Sequence, residues 1–186
     1  ILYEHLHRYA ICRDRVAGQR VLVVACGAGY GTNILAQVAA HATGLDLDQG
    51  AIRSARRRYR RQNLKFVAAD CCDMPFEDGS FDAVTANEMI EHIEDHDGFI
   101  EEVKRVLQPG GTFMVSTPNK PIYNRYKSLN PFHVSEMDIP EFRELLESHF
   151  RHVHFTGLRM ALVSAGFEID GSKQSSNLVA AKTYRC

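Results

Sequence analysis

The 186-residue sequence predicts an α/β fold: one domain over residues 1–186, with a mostly parallel sheet and helices on both faces. Three observations predict it. Apolar runs of strand length alternate with segments of helical periodicity, the pattern of parallel strands joined by crossover helices. Val21-Leu-Val-Val-Ala-Cys26 runs straight into glycines at 27, 29 and 31 and then into helix-compatible sequence, where missing side chains let the backbone turn sharply and a ligand approach it. Gly27, Asp46, Asp70 and Asn87 all fall at the carboxyl ends of expected strands, which is where such sheets bind ligands.

The elements follow in order. Leu2, Leu6, Tyr9, Ile11, Cys12 and Val16 give residues 1–17 the spacing of an amphipathic leader helix, ended by Gly18. A strand over 20–26 leads through the glycine turn to a helix buried by Ile34, Leu35 and Val38, and His41 to Asp46 is the second strand. Residues 48–62 place Ile52, Ala55 and Tyr59 on one inward stripe with Arg53, Arg56, Arg57, Arg58, Arg60 and Arg61 fanned around it. That is the pattern of a solvated helix face, with an RNA-binding face as the alternative. Leu64 to Ala69 is the third strand, ending at Asp70, and residues 73–79 form a loop punctuated by Pro75 and Gly79. Phe81 to Thr85 is the fourth strand. Phe99, Ile100, Val103, Val106 and Leu107 mark a helix stopped by Gln108-Pro-Gly-Gly111 before a fifth strand at 112–117. The long connection 118–138 reads as a lid or binding loop. A helix over 141–149 and strands at 153–156 and 177–184 complete the chain, with 166–176 polar and expected to be mobile.

Composition narrows the partners. With 45% hydrophobic residues, net charge −1 and pI near 6.8, no global field attracts nucleic acid or an anionic membrane. No apolar run reaches membrane-span length. Cysteines 12, 26, 71, 72 and 186 make no CxxC pair, which suits reduced thiols in a cytoplasmic setting. The chain begins at Ile1 and not at Met, which leaves open whether it is a piece of a longer protein.

Asp46 lies nineteen residues past Gly27, the placement of an acid that binds a ribose diol. A dinucleotide turn would need glycine at 32, which is Thr32, and this spacing argues against a pyrophosphate-bearing cofactor. A tight turn with no ligand is the plain alternative.

With these residues in place, the chain resembles the class I S-adenosylmethionine-dependent methyltransferases over almost its whole length. The likeness is carried by Ala25-Cys-Gly-Ala-Gly-Tyr-Gly31, Gly44-Leu-Asp46, Ala69-Asp-Cys71 with Met74-Pro-Phe76, Ser80-Phe-Asp-Ala-Val84, and Val106-Leu-Gln-Pro-Gly-Gly111. The resemblance implies a Rossmann-like, seven-stranded sheet with its last strand antiparallel, S-adenosylmethionine as cofactor and S-adenosylhomocysteine as product. It implies that the backbone around Ala25, Gly27 and Gly29 cradles the methionine part, and that Asp46, with Leu47 beside it, holds the ribose. Asp70 would accept from the adenine amino group, and the Cys71 main-chain N–H would meet the ring. Asn87 would line the pocket near the sulfonium, and Tyr9 would close over the methionine end. Val23 stands where the family usually has an acid, and Ala25 where it often has glycine, which implies weaker cofactor binding.

A sulfonium methyl is already activated, so the protein must mainly align the acceptor, and an oxygen acceptor must also lose a proton to a base or a metal-assisted step. The candidate is Glu88-Met-Ile-Glu-His92. If it begins a helix, Glu88, Glu91 and His92 share one face. It is similar to the Glu-x-x-Glu-His segment of ubiquinone-biosynthesis and small-RNA 2′-O-methyltransferases, where two acids and a histidine hold a divalent ion. In the RNA enzymes a second histidine follows a Thr-Pro-Asn segment, as His133 follows Thr117-Pro-Asn119 here. Such a set suits Mg²⁺ or Mn²⁺ and can take Zn²⁺. Alternatively the acids cap a helix and His92 is a pocket wall, or His92 is a metal-free general base. Tyr123, Tyr126, Phe132 and His133 form either the acceptor wall or packing beneath the loop. The expected activity is methyl transfer to a small-molecule or sugar-like acceptor at oxygen. The alternatives are an RNA 2′-O-methyltransferase or a catalytically silent cofactor-binding module, with a nicotinamide-dependent oxidoreductase as outsider.

Overall fold

Val21 to Val24 are buried on both faces, which makes β1 (Arg20–Val24) the strand around which the parallel part of the sheet is built. The computed structural model describes residues 2–123, 130–159, 165–168 and 177–181. The elements are α1 (Leu2–Arg13), β1, α2 (Tyr30–Leu35), β2 (His41–Asp46), α3 (Gln49–Arg58), β3 (Leu64–Ala68), β4 (Phe81–Asn87), a 3-10 turn (Ile90–His92) and α4 (His96–Val106). They continue with β5 (Leu107–Pro118), the short α5 (Lys120–Tyr123), α6 (Ile139–His149), β6 (His154–Arg159), β7 (Ala165–Glu168) and β8 (Asn177–Ala181).

The strands form one sheet in the order β3-β2-β1-β4-β5-β8-β6-β7. The first five are parallel, and β8 inserts antiparallel between β5 and β6. The α/β architecture with an antiparallel last strand is therefore as the sequence predicts. Among the described residues the sheet has eight strands and not seven, because Ala165–Glu168 pairs antiparallel with β6, and three of its four residues fall in the stretch 166–176 expected to be polar and mobile. Residues 169–176 lie outside the described residues.

Alternation along β1 divides the core. Leu22 and Val24 face a cluster with Phe99, Ile100, Val103 and Val106 of α4 and Phe142 and Leu146 of α6. Val21 and Val23 face Tyr9 and Cys12 of α1, Leu35 of α2, and Ile52 and Ala55 of α3. Each fully buried Leu, Ile or Phe contributes roughly 1.5–3 kcal/mol. Val23 thus completes an apolar layer beneath α1, at the place where the resemblance led us to expect an acid.

Several boundaries move for identifiable reasons. The leader helix stops at Arg13, before Gly18, and the intervening residues form a turn. α3 ends at Arg58 because Tyr59 is extended, at φ −119 and ψ 116. β5 begins at Leu107 and absorbs Gln108-Pro-Gly-Gly111 as an irregularity, which Gly110 permits at φ 84. Two of the α3-region arginines are used internally: Arg56 donates to the Phe66 carbonyl at 2.6 Å and Arg61 to Asn33 at 2.9 Å.

Candidate active site

The glycine turn is shaped from both sides. Ala25, Gly27 and Gly29 have φ 52, 52 and 81, a left-handed backbone that side chains disfavour. A Cβ on Gly29 would stand 2.6 Å from the Phe66 ring, and one on Gly31 would overlap the Tyr9 ring. Gly27 differs, because a Cβ there would meet nothing within 4 Å. The loop is therefore packed underneath and open at Gly27.

Backbone bonds bring the strand tips together. Cys26 N–H donates to the Leu45 carbonyl at 2.9 Å and Ala69 N–H to the Asp46 carbonyl at 3.1 Å. The Asp46 carboxylate accepts from Gly27 N–H at 2.7 Å and Asp48 N–H at 2.9 Å. Each oxygen keeps a lone pair for a ribose hydroxyl. Leu47 follows with 73% of its surface exposed. Asp70 is exposed two residues beyond β3 and accepts from Cys72 N–H at 2.9 Å. Cys71 sits half-buried between them, its thiol pushed up to about 12, chiefly by burial and then by Cys72. Asp46, Asp70 and the glycine turn thus share one end of the sheet, as the nucleoside reading requires. The open space at Gly27, the spare carboxylate lone pairs and the exposed Leu47 fit a nucleoside cofactor.

Tyr9 is placed differently from expectation. It is 5% exposed, packed under Gly31 and edge-on to Tyr30 at 5.6 Å, and its hydroxyl bonds the Asn87 side chain. It supports the loop from the leader-helix side and does not lie open above it. Asn87 also donates to Thr85 at 3.2 Å and accepts from Ser116 at 3.4 Å.

Glu88, Glu91 and His92 do not share a helix face. Glu88 has φ 53, and its N–H extends the strand pairing by donating to the Ser116 carbonyl at 3.0 Å, so no helix can start there. Its carboxylate accepts from Ser116 Oγ at 3.0 Å and pairs with Arg8 at 3.0 Å, where Arg8 is only 2% exposed. Arg8 escaped sequence reasoning, although it lies one turn before Cys12 on the buried stripe of α1.

What converges instead is Glu91, His92 and His133, whose ligand atoms all lie within 4.8 Å of one another. Glu91 is 1% exposed, accepts from Thr117 Oγ1 at 3.0 Å, and has its carboxyl pushed up to about 8 by burial and then by Glu88. His92 Nδ1 meets the Phe132 carbonyl at 2.8 Å, and His133 Nδ1 meets Glu136 at 2.8 Å. Those acceptors put the ring protons on Nδ1 and leave both Nε2 lone pairs for a proton or a cation. The rings stack edge-on at 4.8 Å, with Tyr123 at 5.0 Å from His133. Val134 and Ser135 N–H both donate to the Glu91 carbonyl, at 3.0 and 3.1 Å, which fastens residues 132–135 over the 3-10 turn. Tyr126 lies outside the described residues. Glu136 and Ser116 were not singled out in the sequence, and Thr117 only as the start of the segment before His133, because only the folded chain brings them to this site.

A cleft of about 680 Å³ opens beside the cluster, lined among others by His96, Lys120, His133, Glu136, Met137 and Leu145. It meets the cluster through His133 and includes none of the glycine-turn residues, Asp46, Asp70 or Asn87.

The chain is similar to known proteins in sequence and fold. Residues 22–115 match the family model described as "Methyltransferase domain". A probable S-adenosylmethionine-dependent methyltransferase of Mycolicibacterium smegmatis is 41% identical over 142 residues, 75% of this chain and 54% of the relative. A fatty-acid O-methyltransferase of the same organism is 41% identical over 130 residues, 65% of this chain and 47% of the relative. A chain from the complex between the Haloferax volcanii Trm112 methyltransferase activator and its methyltransferase superposes with TM-score 0.80 at 21% identity, over 98% of this chain and 90% of that one. That last likeness is one of fold. The glycine turn and the acids at adjacent strand tips lie at the carboxyl edge of a parallel α/β sheet, the edge at which sheets of this class take ligands. The chain belongs to the class I S-adenosylmethionine-dependent methyltransferases. It spans about half the length of the curated relatives it matches.

Proposed function

We propose that the chain carries the cofactor and proton-handling machinery of a methyltransferase that moves a methyl group from S-adenosylmethionine to an oxygen of a small-molecule or sugar-like acceptor. One observation carries the reading: Ser116 and Thr117, adjacent on β5, bind Asn87 on the cofactor side and Glu91 in the histidine cluster. Cofactor end and proton-accepting end are thereby held in one register. The fatty-acid O-methyltransferase among the relatives supports oxygen as the target.

In this reading the turn at Ala25, Gly27 and Gly29 holds the methionine part, Asp46 and Leu47 the ribose, and Asp70 with the Cys71 N–H the adenine. The bound cofactor supplies a sulfonium methyl already activated for transfer. The cleft beside His133 holds the acceptor with its oxygen toward the sulfonium, and His133 and His92 offer Nε2 to the proton that leaves it. Glu136 keeps His133 in the productive tautomer. The donor set also fits a divalent cation such as Mg²⁺, which Glu91, His92 and His133 would hold and which would acidify the acceptor hydroxyl.

Labelled-methyl transfer to a panel of carboxylic acids, phenols and polyols, with and without EDTA, tests this. We expect transfer to at least one oxygen acceptor and its loss by about two orders of magnitude in His133→Ala, the lower end of the range for one acid–base group. Wild-type rates in His133→Ala would overturn the placement of the acceptor. Undiminished activity in EDTA would leave the histidines alone as proton acceptors.

A further inference from the structure

Beyond the histidine cluster, the described residues contain one other group of ligand atoms within 4.8 Å of one another: Asp70, Cys71 and Cys72. The two thiols are within hydrogen-bonding reach of each other. A tetrahedral zinc with sulfur at ~2.3 Å sets its two sulfurs roughly 3.8 Å apart, a spacing neighbouring thiols of this kind can meet. Asp70 spends one oxygen on the Cys72 N–H, which fixes the turn, and has its other oxygen for a third bond. Asp70 is exposed, which gives an ion a path in.

We propose that Asp70, Cys71 and Cys72 form an inhibitory site for a thiophilic divalent cation of the zinc type, whose occupation excludes the cofactor. Binding exchanges two thiol protons for two metal–sulfur bonds and moves no electrons: the cation enters as M²⁺, two protons leave to solvent, and a water completes the fourth position. Two sulfurs and one oxygen select a soft or borderline ion over Mg²⁺ or Ca²⁺. The antagonism rests on the reading that Asp70 accepts from the adenine amino group and Cys71 meets the ring, because the ion and the adenine would then occupy the same space beside these two residues.

Cobalt(II) is the probe, since thiolate ligation gives a near-ultraviolet charge-transfer band that histidine and carboxylate ligands do not. Titrating the chain with Co²⁺ is expected to raise that band to saturation at one equivalent. Cys72→Ser and Asp70→Asn should weaken the band's apparent affinity at least tenfold, while the doubly substituted His92→Ala, His133→Ala chain keeps it. Saturating S-adenosylhomocysteine should suppress it; calorimetric binding of that ligand verifies that Cys72→Ser is folded, and circular dichroism with a cooperative thermal transition verifies Asp70→Asn, whose ligand affinity is itself expected to fall. No band at millimolar Co²⁺, or a band unchanged in Cys72→Ser, would overturn the site. A band that S-adenosylhomocysteine leaves untouched would uphold the site and overturn its antagonism with the cofactor.

Discussion

Arg8 and Glu88 meet at 3.0 Å, with Arg8 only 2% exposed, so a residue of the leader helix neutralises an acid at the tip of a central strand. Breaking a buried pair strands the remaining charge, at a cost of about 3 kcal/mol. Arg8→Met should therefore lose close to that amount in urea unfolding and weaken S-adenosylhomocysteine binding, since Ser116 ties Glu88 to Asn87. Arg8→Met combined with Glu88→Gln should recover part of the loss.

Two glycines of the turn should fail in different ways. At Gly27 a Cβ has open space around it, so Gly27→Ala should fold, with strain of roughly 1–2 kcal/mol at its positive φ, but should bind S-adenosylhomocysteine at least tenfold more weakly. At Gly29 a Cβ would meet Phe66 and Ala55, so Gly29→Ala should destabilise the domain by roughly 1–3 kcal/mol, as overpacked sites do. Calorimetry and thermal unfolding of the two variants separate these outcomes.

Glu136 should act through His133. Glu136→Gln keeps a hydrogen-bonding group near Nδ1 but no longer holds a proton there by charge. It should lower kcat about tenfold or more with little change in KM. Glu136→Asp should restore part of the rate, and an equal fall in kcat/KM through KM alone would contradict the positioning role.

Acid sensitivity has assignable sources. The Asp82 carboxyl is held below its ordinary value chiefly by the hydrogen bonds from Arg20, and Glu102 chiefly by those from Arg105. Groups with lowered folded values contribute stability that is present above their unfolded values, near 3.8 and 4.5, and lost as pH falls through the folded ones. Asp82→Asn and Glu102→Gln should each be less stable at pH 7 and lose less on acidification to pH 3, as followed by urea midpoints across pH.

The placement of the glycine turn, Asp46 and Asp70 at one edge of the sheet was legible in the sequence because it depends on local signals: glycines that need a positive φ, and acids that close a strand. The Glu88–His92 segment was not. Its conformation is decided by Ser116, twenty-eight residues away on β5, whose carbonyl takes the Glu88 N–H and continues the sheet where a helix was expected. β7 escaped for a related reason, since Ala165–Glu168 is a strand only through its pairing with β6. Arg8 was missed because the partner that lets it be buried, Glu88, lies eighty residues on.

The double clasp of Val134 and Ser135 on the Glu91 carbonyl carries a consequence for selectivity. A bulky guest that had to prise residues 132–135 away would also pull Phe132 off His92 and unsettle the imidazole that the proposed function offers to it. Slender guests that thread end-first leave the clasp shut. Girth, as much as chemical identity, would then decide which compounds turn over.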